Sequence, residues 1–546
     1  MSDESGRQSR EVGVGRTRPR LVWGAVLVAA LLTATIHMVP YWHASASVRP
    51  GWSFTGALRT SQDMMQYRAW LRHTRDGPLV KNRLTTEPHR PYLVLPFQYV
   101  VGRLADLTGM RPETTYHIVG AGLAFGLTVL IFMMLRTFLG NPGHALTVLL
   151  MVMFGGGLTA HVRVLSRWIR VGPWQTIARD IGFEGQRTAW PVTTLTDTHF
   201  LFVWLIITAA VLAFHRAVRE PRPRRLVLAA LLFAVVTISH PYESALLGAI
   251  CVGVCLALWL KRLPLRSALL ATFWCLLATA VTGVGWLTLY LRSGLPVTNW
   301  TQDPIPPSIL VLMYPIPVLV LGWGIGRYWK GADADRTFLL GWAFGSLGLV
   351  LSAPFFPYPV RGLVALQIPL YAMAGIIFYD HRNRLGVMGF LVVVLFVGLT
   401  PVRFLQDRWR ASGFREDRPE VFVHDEQRHV IDVLAARARS NDVLLAAPTA
   451  VRWLGPEYPG RLYLAHWFMT VDYVGKLQAV NRFFDSDPAF MASFLEGENI
   501  RFVFSDEGPN PRLEAVEGVQ MLANTRFGTL YEWVPHQVSD EVRRPQ

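Results

Sequence analysis

The chain has 546 residues, 51% of them hydrophobic and 17% charged, with a formal net charge of +15. A soluble protein carries roughly a quarter charged residues, whereas here the apolar residues gather in blocks of about 20, enough to cross a ~30 Å hydrocarbon core. A soluble multidomain protein is thereby excluded, and no basic patch interleaved with aromatics marks a nucleic-acid partner.

In chain order, residues 1–20 form a basic tail with Arg7, Arg10, Arg16, Arg18 and Arg20, expected in the cytoplasm. The apolar run from Leu21 to Trp42 exceeds the ~7–15 residues of a signal-peptide core and reads as a retained anchor. Residues 21–402 are expected to form a transmembrane domain of about eleven helices. The spans fall at 21–41, 115–138, 143–162, 198–216, 225–240, 243–260, 267–291, 309–328, 337–354, 362–379 and 385–402. The basic connections around Arg216–Arg225, Lys261–Arg266, Lys330–Arg336 and His381–Arg384 then all lie inside, as the positive-inside rule requires. The segment Tyr92–Leu107 is apolar but short, and it contains Pro96, Arg103 and Asp106. Letting it span would put the basic loop at 215–225 outside, so it reads as an interfacial helix.

Two long outer loops follow from this topology, at 42–114 and 163–196. Within the first, 62–73 has helical character, with Met64, Tyr67, Trp70 and Leu71 on one side and Gln66, Arg68 and Arg72 on another. In the second, Trp168, Trp174 and Trp190, with Arg167, Arg170 and Arg179, suit a helix at headgroup level. The three cysteines, Cys251, Cys255 and Cys275, lie in apolar segments and read as small buried hydrophobes. Residues 403–546 contain no span. A helix at Glu426–Ala438 and strands at Asp442–Ala446, Arg461–Ala465, Ile500–Ser505 and Thr529–Val534 predict a small α/β domain. An odd number of spans makes that domain extracytoplasmic.

The polar residues that stand out collect on the outer side. Asp63 is a general-base candidate beside Met, Trp and Tyr residues, or else a solvated helix-cap acid. The run Lys81-Asn82-Arg83 to Glu87 joins cations able to hold phosphate with a second carboxylate, or is an exposed polar loop. Asp197 and His199 could take a divalent metal or orient an acceptor; equally, Asp197 could simply cap the following helix. His240 and Glu243 flank the break at Pro241 and are costly at that depth unless paired or hydrated. Arg361, with Gln367 deeper in the same span, sits at a helix N-terminus where the dipole disfavours a cation. A phosphate there would welcome it, and headgroup snorkelling is the alternative.

This pattern resembles the GT-C class of membrane glycosyltransferases: a retained first span, a long first outer loop, outer-facing polar residues and a C-terminal extracytoplasmic domain. Asp63 with Tyr67 resembles the D-E-x-x-Y element of the protein O-mannosyltransferase and aminoarabinose-transferase branch, with Met64 standing where that branch has Glu. Ala465-His466-Trp467-Phe468-Met469-Thr470 is similar to a segment of bacterial members of the class. The resemblance implies transfer of a sugar from a polyprenyl-phosphate donor to a saccharide, lipid or protein acceptor of the cell envelope, on the outer face of the membrane. Asp63 would deprotonate or orient the acceptor, with Tyr67 beside it. Arg361 and Lys81 or Arg83 would stabilise the leaving phosphate. Asp197, His199, His240, Glu243, Gln367 and Glu87 complete the substrate-binding set. A divalent metal is compatible with this set but not required by it. The alternative is a transporter or flippase of a lipid-linked or anionic envelope precursor, a class that tends to show internal repeats and midplane polar groups. Neither feature is evident in this sequence.

Overall fold

The computed structural model describes residues 19–58, 62–75, 77–155, 157, 197–295, 313–352, 360–380 and 402–534. The expected second outer loop at 163–196, with its tryptophans, and the expected span at 385–402 lie outside these residues.

The chain is a polytopic helical membrane protein. Six described helices are long and apolar enough to cross a membrane: Pro19–Ala46, Pro112–Leu139, Thr198–Arg219, Glu243–Leu260, Arg266–Ser293 and Arg361–Asp380. Helices at Pro142–Phe154, Pro223–Ser239, Pro315–Lys330 and Ala334–Leu351 occupy four further expected positions. Proline stands in the first turn at Pro112, Pro142, Pro223 and Pro315. There its missing N–H costs nothing and its fixed φ suits the helix. Pro96–Thr108 is a helix of 13 residues ended by Gly109 at φ 66°. At 1.5 Å per residue it is too short to cross the hydrocarbon.

Glycine sets the closest contacts in the bundle. A Cβ on Gly253 would collide with the Gly341 carbonyl, and one on Gly345 with the Ala249 carbonyl. The backbones of Glu243–Leu260 and Ala334–Leu351 therefore touch, as small residues permit between membrane helices. A Cβ on Gly362 would likewise strike the Ser346 carbonyl. These contacts bring the starts of the helices carrying Glu243 and Arg361 against each other. At the bundle's edge, Arg266–Ser293 leaves Phe273, Trp274, Val281 and Val284 exposed, the apolar surface a lipid-facing helix presents.

The C-terminal region carries a sheet of five strands, β5 (Val443–Ala446), β6 (Arg461–Leu462), β7 (Ile500–Ser505), β8 (Val519–Thr525) and β9 (Gly528–Trp533). Their order across the sheet is β6-β5-β7-β9-β8. β6, β5 and β7 are parallel, while β9 and β8 continue antiparallel. Helices pack around it, among them Asp425–Arg437, Tyr473–Asp485 and Pro488–Gly497. β5 is buried at all four positions and reads in sequence as a continuous apolar run, as a central parallel strand should. Strand β8 was not expected from sequence. It is an edge strand in which only Ala523 is buried, so neither an apolar run nor a clean alternation marks it.

The loop between the first two long helices is woven into this region. β1 (Trp52–Phe54) pairs antiparallel with β4 (Phe422–His424). The short strands β2 (Leu79–Val80) and β3 (Leu93–Val94) pair with each other. The helix Gln62–His73 is covered on both sides. Met65 joins the core of the C-terminal sheet, and Leu71 packs with Phe97, Val101 and Tyr116. Its polar side is buried too. Arg72 Nη2 lies 2.7 Å from Glu113 and 3.2 Å from Glu457, while Arg68 and Arg428 each reach Glu457 at 3.3 Å. Burial pulls the Arg68 guanidinium down to about 10, with Glu113 and Glu457 pulling the other way, so it remains a cation at neutral pH.

Candidate active site

Asp63 stands in the first turn of Gln62–His73, where the helix dipole favours a carboxylate. Its side chain is 54% exposed, and Oδ1 accepts a hydrogen bond from Nε2 of His466 at 3.1 Å. The imidazole itself is almost wholly buried, 3% exposed. The backbone N–H of Phe468 donates to His466 Nδ1 at 3.1 Å. A nitrogen that accepts an amide proton carries none of its own, so the proton sits on Nε2 and points at Asp63.

One turn further along, Tyr67 lies with its ring 4.7 Å from that of His199. His199 is buried at the start of Thr198–Arg219, with Nδ1 3.4 Å from the Gln98 amide and its ring 5.4 Å from that of His240. Asp197 is the N-cap of this helix: its Oδ1 accepts from the His199 backbone N–H at 3.2 Å. His240 ends the preceding hairpin helix and Glu243 opens the next. Their side chains come within 3.6 Å, and Arg361 Nη1 lies 3.2 Å from Glu243 Oε1. Glu243 is fully buried, and among the described residues neither of its oxygens receives a hydrogen bond. The Arg361 guanidinium also covers the Phe200 ring at 5.3 Å. Contacts therefore run from Tyr67, one turn along the helix from Asp63, through His199 and His240 to Glu243 and the partly buried guanidinium of Arg361.

Asp63, Tyr67, His199, His240, Glu243 and Arg361 are thus neighbours in one region where the bundle meets the C-terminal sheet. The other sequence candidates have different surroundings. Lys81 is exposed. Arg83 Nη1 donates to the Pro459 carbonyl at 2.5 Å. Glu87 accepts from Lys476 Nζ at 2.5 Å and from Thr85. Burial would raise the Glu87 carboxyl, but the Lys476 and Thr85 hydrogen bonds outweigh it and hold the group below its ordinary range. Gln367 is buried and donates to the carbonyls of Val152 (2.8 Å) and Gly155 (3.4 Å), closing the C-terminal end of Pro142–Phe154. Among the described residues no group of three or more His, Cys, Asp or Glu side chains is arranged to hold a metal ion.

His466 went unrecognised as a site residue in the sequence reading, although its segment stood out. It lies 403 positions from Asp63, and nothing local in either segment encodes their meeting.

No protein-family model and no curated protein matches the chain. Solved structures do. The arabinofuranosyltransferase AftD from Mycobacteria matches at a TM-score of 0.54 and 14% identity over 94% of this chain. A mutant form of AftD matches equally well. This chain spans only 40% of the AftD structure. ArnT from Cupriavidus metallidurans, in its apo state, matches at 0.50 and 12% identity over 97% of this chain and all of the ArnT chain. AftD and ArnT are both GT-C glycosyltransferases, and this chain is similar to them in fold.

Proposed function

We propose that this protein is a glycosyltransferase that moves a sugar from a polyprenyl-phosphate donor to a cell-envelope acceptor at the outer face of the membrane. The observation that carries the reading is a line of contacts: Asp63, half exposed, stands one turn from Tyr67, whose ring meets His199, and His199 leads through His240 and Glu243 to the partly buried guanidinium of Arg361. Glycosyl transfer from a lipid phosphate needs both ends. One group takes the proton of the acceptor hydroxyl, and another stabilises the negative charge that grows on the leaving phosphate. In this reading the acceptor oxygen attacks the anomeric carbon as its proton passes to Asp63. The bond from that carbon to the phosphate oxygen breaks, and the electron pair leaves with the polyprenyl phosphate. Arg361 meets that charge, exchanging Glu243 for the phosphate.

Eleven spans, a cytoplasmic N-terminus and an extracytoplasmic C-terminal domain belong to the same proposal. They put Asp63, His240 and Arg361 on the side where the lipid-linked sugar is exposed. Arg83 and Glu87 then serve the seam between the first outer loop and the outer domain rather than the phosphate, and Asp197 serves as a helix cap. The fold shared with AftD and ArnT supports the reaction class.

The test is a donor screen with the full chain in lipid vesicles, using a panel of polyprenyl-phosphate sugars and following release of the polyprenyl phosphate. Asp63→Asn should lower transfer by about 10²- to 10⁴-fold, the usual worth of a positioned base, while the protein stays folded and inserted. Full activity in that variant would remove Asp63 from the mechanism.

A further inference from the structure

His466 lies on a turn that is built before it reaches Asp63. The backbone N–H groups of Ala465 and His466 both donate to Thr470 Oγ1 at 3.1 Å, and that hydroxyl donates to the Leu84 carbonyl at 2.7 Å. The amides of Met469 and Thr470 close the turn on the His466 carbonyl at 3.0 and 2.8 Å. From the first loop, Asn82 Nδ2 donates to the Met469 carbonyl at 2.8 Å, and Thr85 Oγ1 accepts from the Val471 N–H at 3.1 Å. The imidazole is therefore fixed in position by its burial and in tautomer by the Phe468 amide. Asp63 is half exposed at a helix start, whereas the imidazole is buried on a hydrogen-bonded turn, so the imidazole is the more firmly held member of the pair.

We infer that His466, supplied by the C-terminal domain, is a positioning residue for Asp63. Its Nε2–H engages Oδ1, sets the rotation of the carboxylate toward the acceptor hydroxyl, and favours the ionised form that can accept a proton. His466 neither gains nor loses a proton in the step: the acceptor proton goes to Asp63, and the electron pair goes with the leaving phosphate. The inference rests on the proposed glycosyl transfer, and it makes the active site a joint product of the membrane domain and the C-terminal domain.

Two variants of the full-length protein in vesicles separate positioning from mere domain packing. His466→Leu fills the volume without a donor; His466→Gln retains an N–H at the end of the side chain. With a polyprenyl-phosphate sugar that the wild type uses, His466→Leu should lower kcat by about tenfold or more with little change in donor KM. Loss of a donor to the ionised carboxylate should also move the acid limb of the kcat/KM profile upward by about one pH unit. His466→Gln should restore much of kcat and return the limb toward the wild-type position. If His466→Leu only lowers the melting temperature and leaves kcat and the limb unchanged, the inference is overturned. If the Leu variant does not fold, the Gln variant decides: activity with a wild-type acid limb supports positioning, and inactivity in a folded Gln protein overturns it. Asp63→Asn is measured alongside. Transfer retained there overturns the glycosyl-transfer assignment of Asp63 and this inference together, whereas an inactive Asn variant beside an unaffected Leu variant overturns only the role of His466.

Discussion

The two halves of the loop between the first and second long helices are both rich in charge, yet they do different work. In 62–73 the charged groups divide. Arg68 and Arg72 turn inward to Glu113 and Glu457, and the half-exposed Asp63 meets His466. In 81–90 the described contacts of Arg83, Glu87 and the intervening threonines run to the C-terminal region. The first half presents a half-exposed carboxylate, and the second holds the turn whose histidine meets it. The difference teaches that a basic run in a loop need not be a phosphate site: Arg83 already donates to a carbonyl, whereas among the described residues Arg361 meets the buried Glu243 and the Phe200 ring.

The largest effect should separate the halves outright. Asp63→Asn should cost about 10²- to 10⁴-fold in transfer with little change in melting temperature, while Arg83→Ala should leave kcat within about threefold and lower stability by about 1 kcal/mol, the worth of a lost hydrogen bond. An Arg83→Ala protein that stays folded but loses transfer would break the comparison and return Arg83 to the substrate. Next in size is Glu457→Gln. It removes the charge shared by the buried Arg68 and the partly exposed Arg72 and Arg428 and leaves Arg68 under-compensated, at a cost of about 3 kcal/mol. Thermal unfolding in detergent should show this as a lower melting temperature, and an unchanged value would mean that water compensates the arginines.

The smallest effect concerns acid. The Glu87 carboxyl is held below its ordinary value of 4.5 in the folded protein. A depressed carboxylate stabilises the fold above its unfolded-state value, and that contribution is lost as pH falls through the folded one. Melting temperature should therefore drop as pH is lowered from about 5 into the region below 4.5, and Glu87→Gln should flatten part of that drop. An identical pH dependence in the variant would mean that the clip between Glu87 and Lys476 adds nothing to the seam.

Much of this molecule could be read from one dimension. Blocks of about 20 apolar residues, each with basic or proline-marked ends, specify membrane helices because the bilayer leaves the backbone no other partner. Pro96–Thr108 was legible as too short to span, and β5 and β7 as buried strands, because length and continuous apolarity are local properties. Asp63 was legible as a candidate from its place outside the first span and its spacing to Tyr67. What only the tertiary structure decided is the company each polar group keeps. Asp197 and Asp63 are both acids at helix starts, and nothing in their neighbours tells which one caps a helix and which one faces a histidine. Glu243 meets Arg361 because glycines 253, 341, 345 and 362 let three helices approach to backbone contact, and His466 meets Asp63 across 403 residues. Hydrophobic length is written in consecutive residues, whereas a hydrogen bond between distant segments depends on the packing of everything between them.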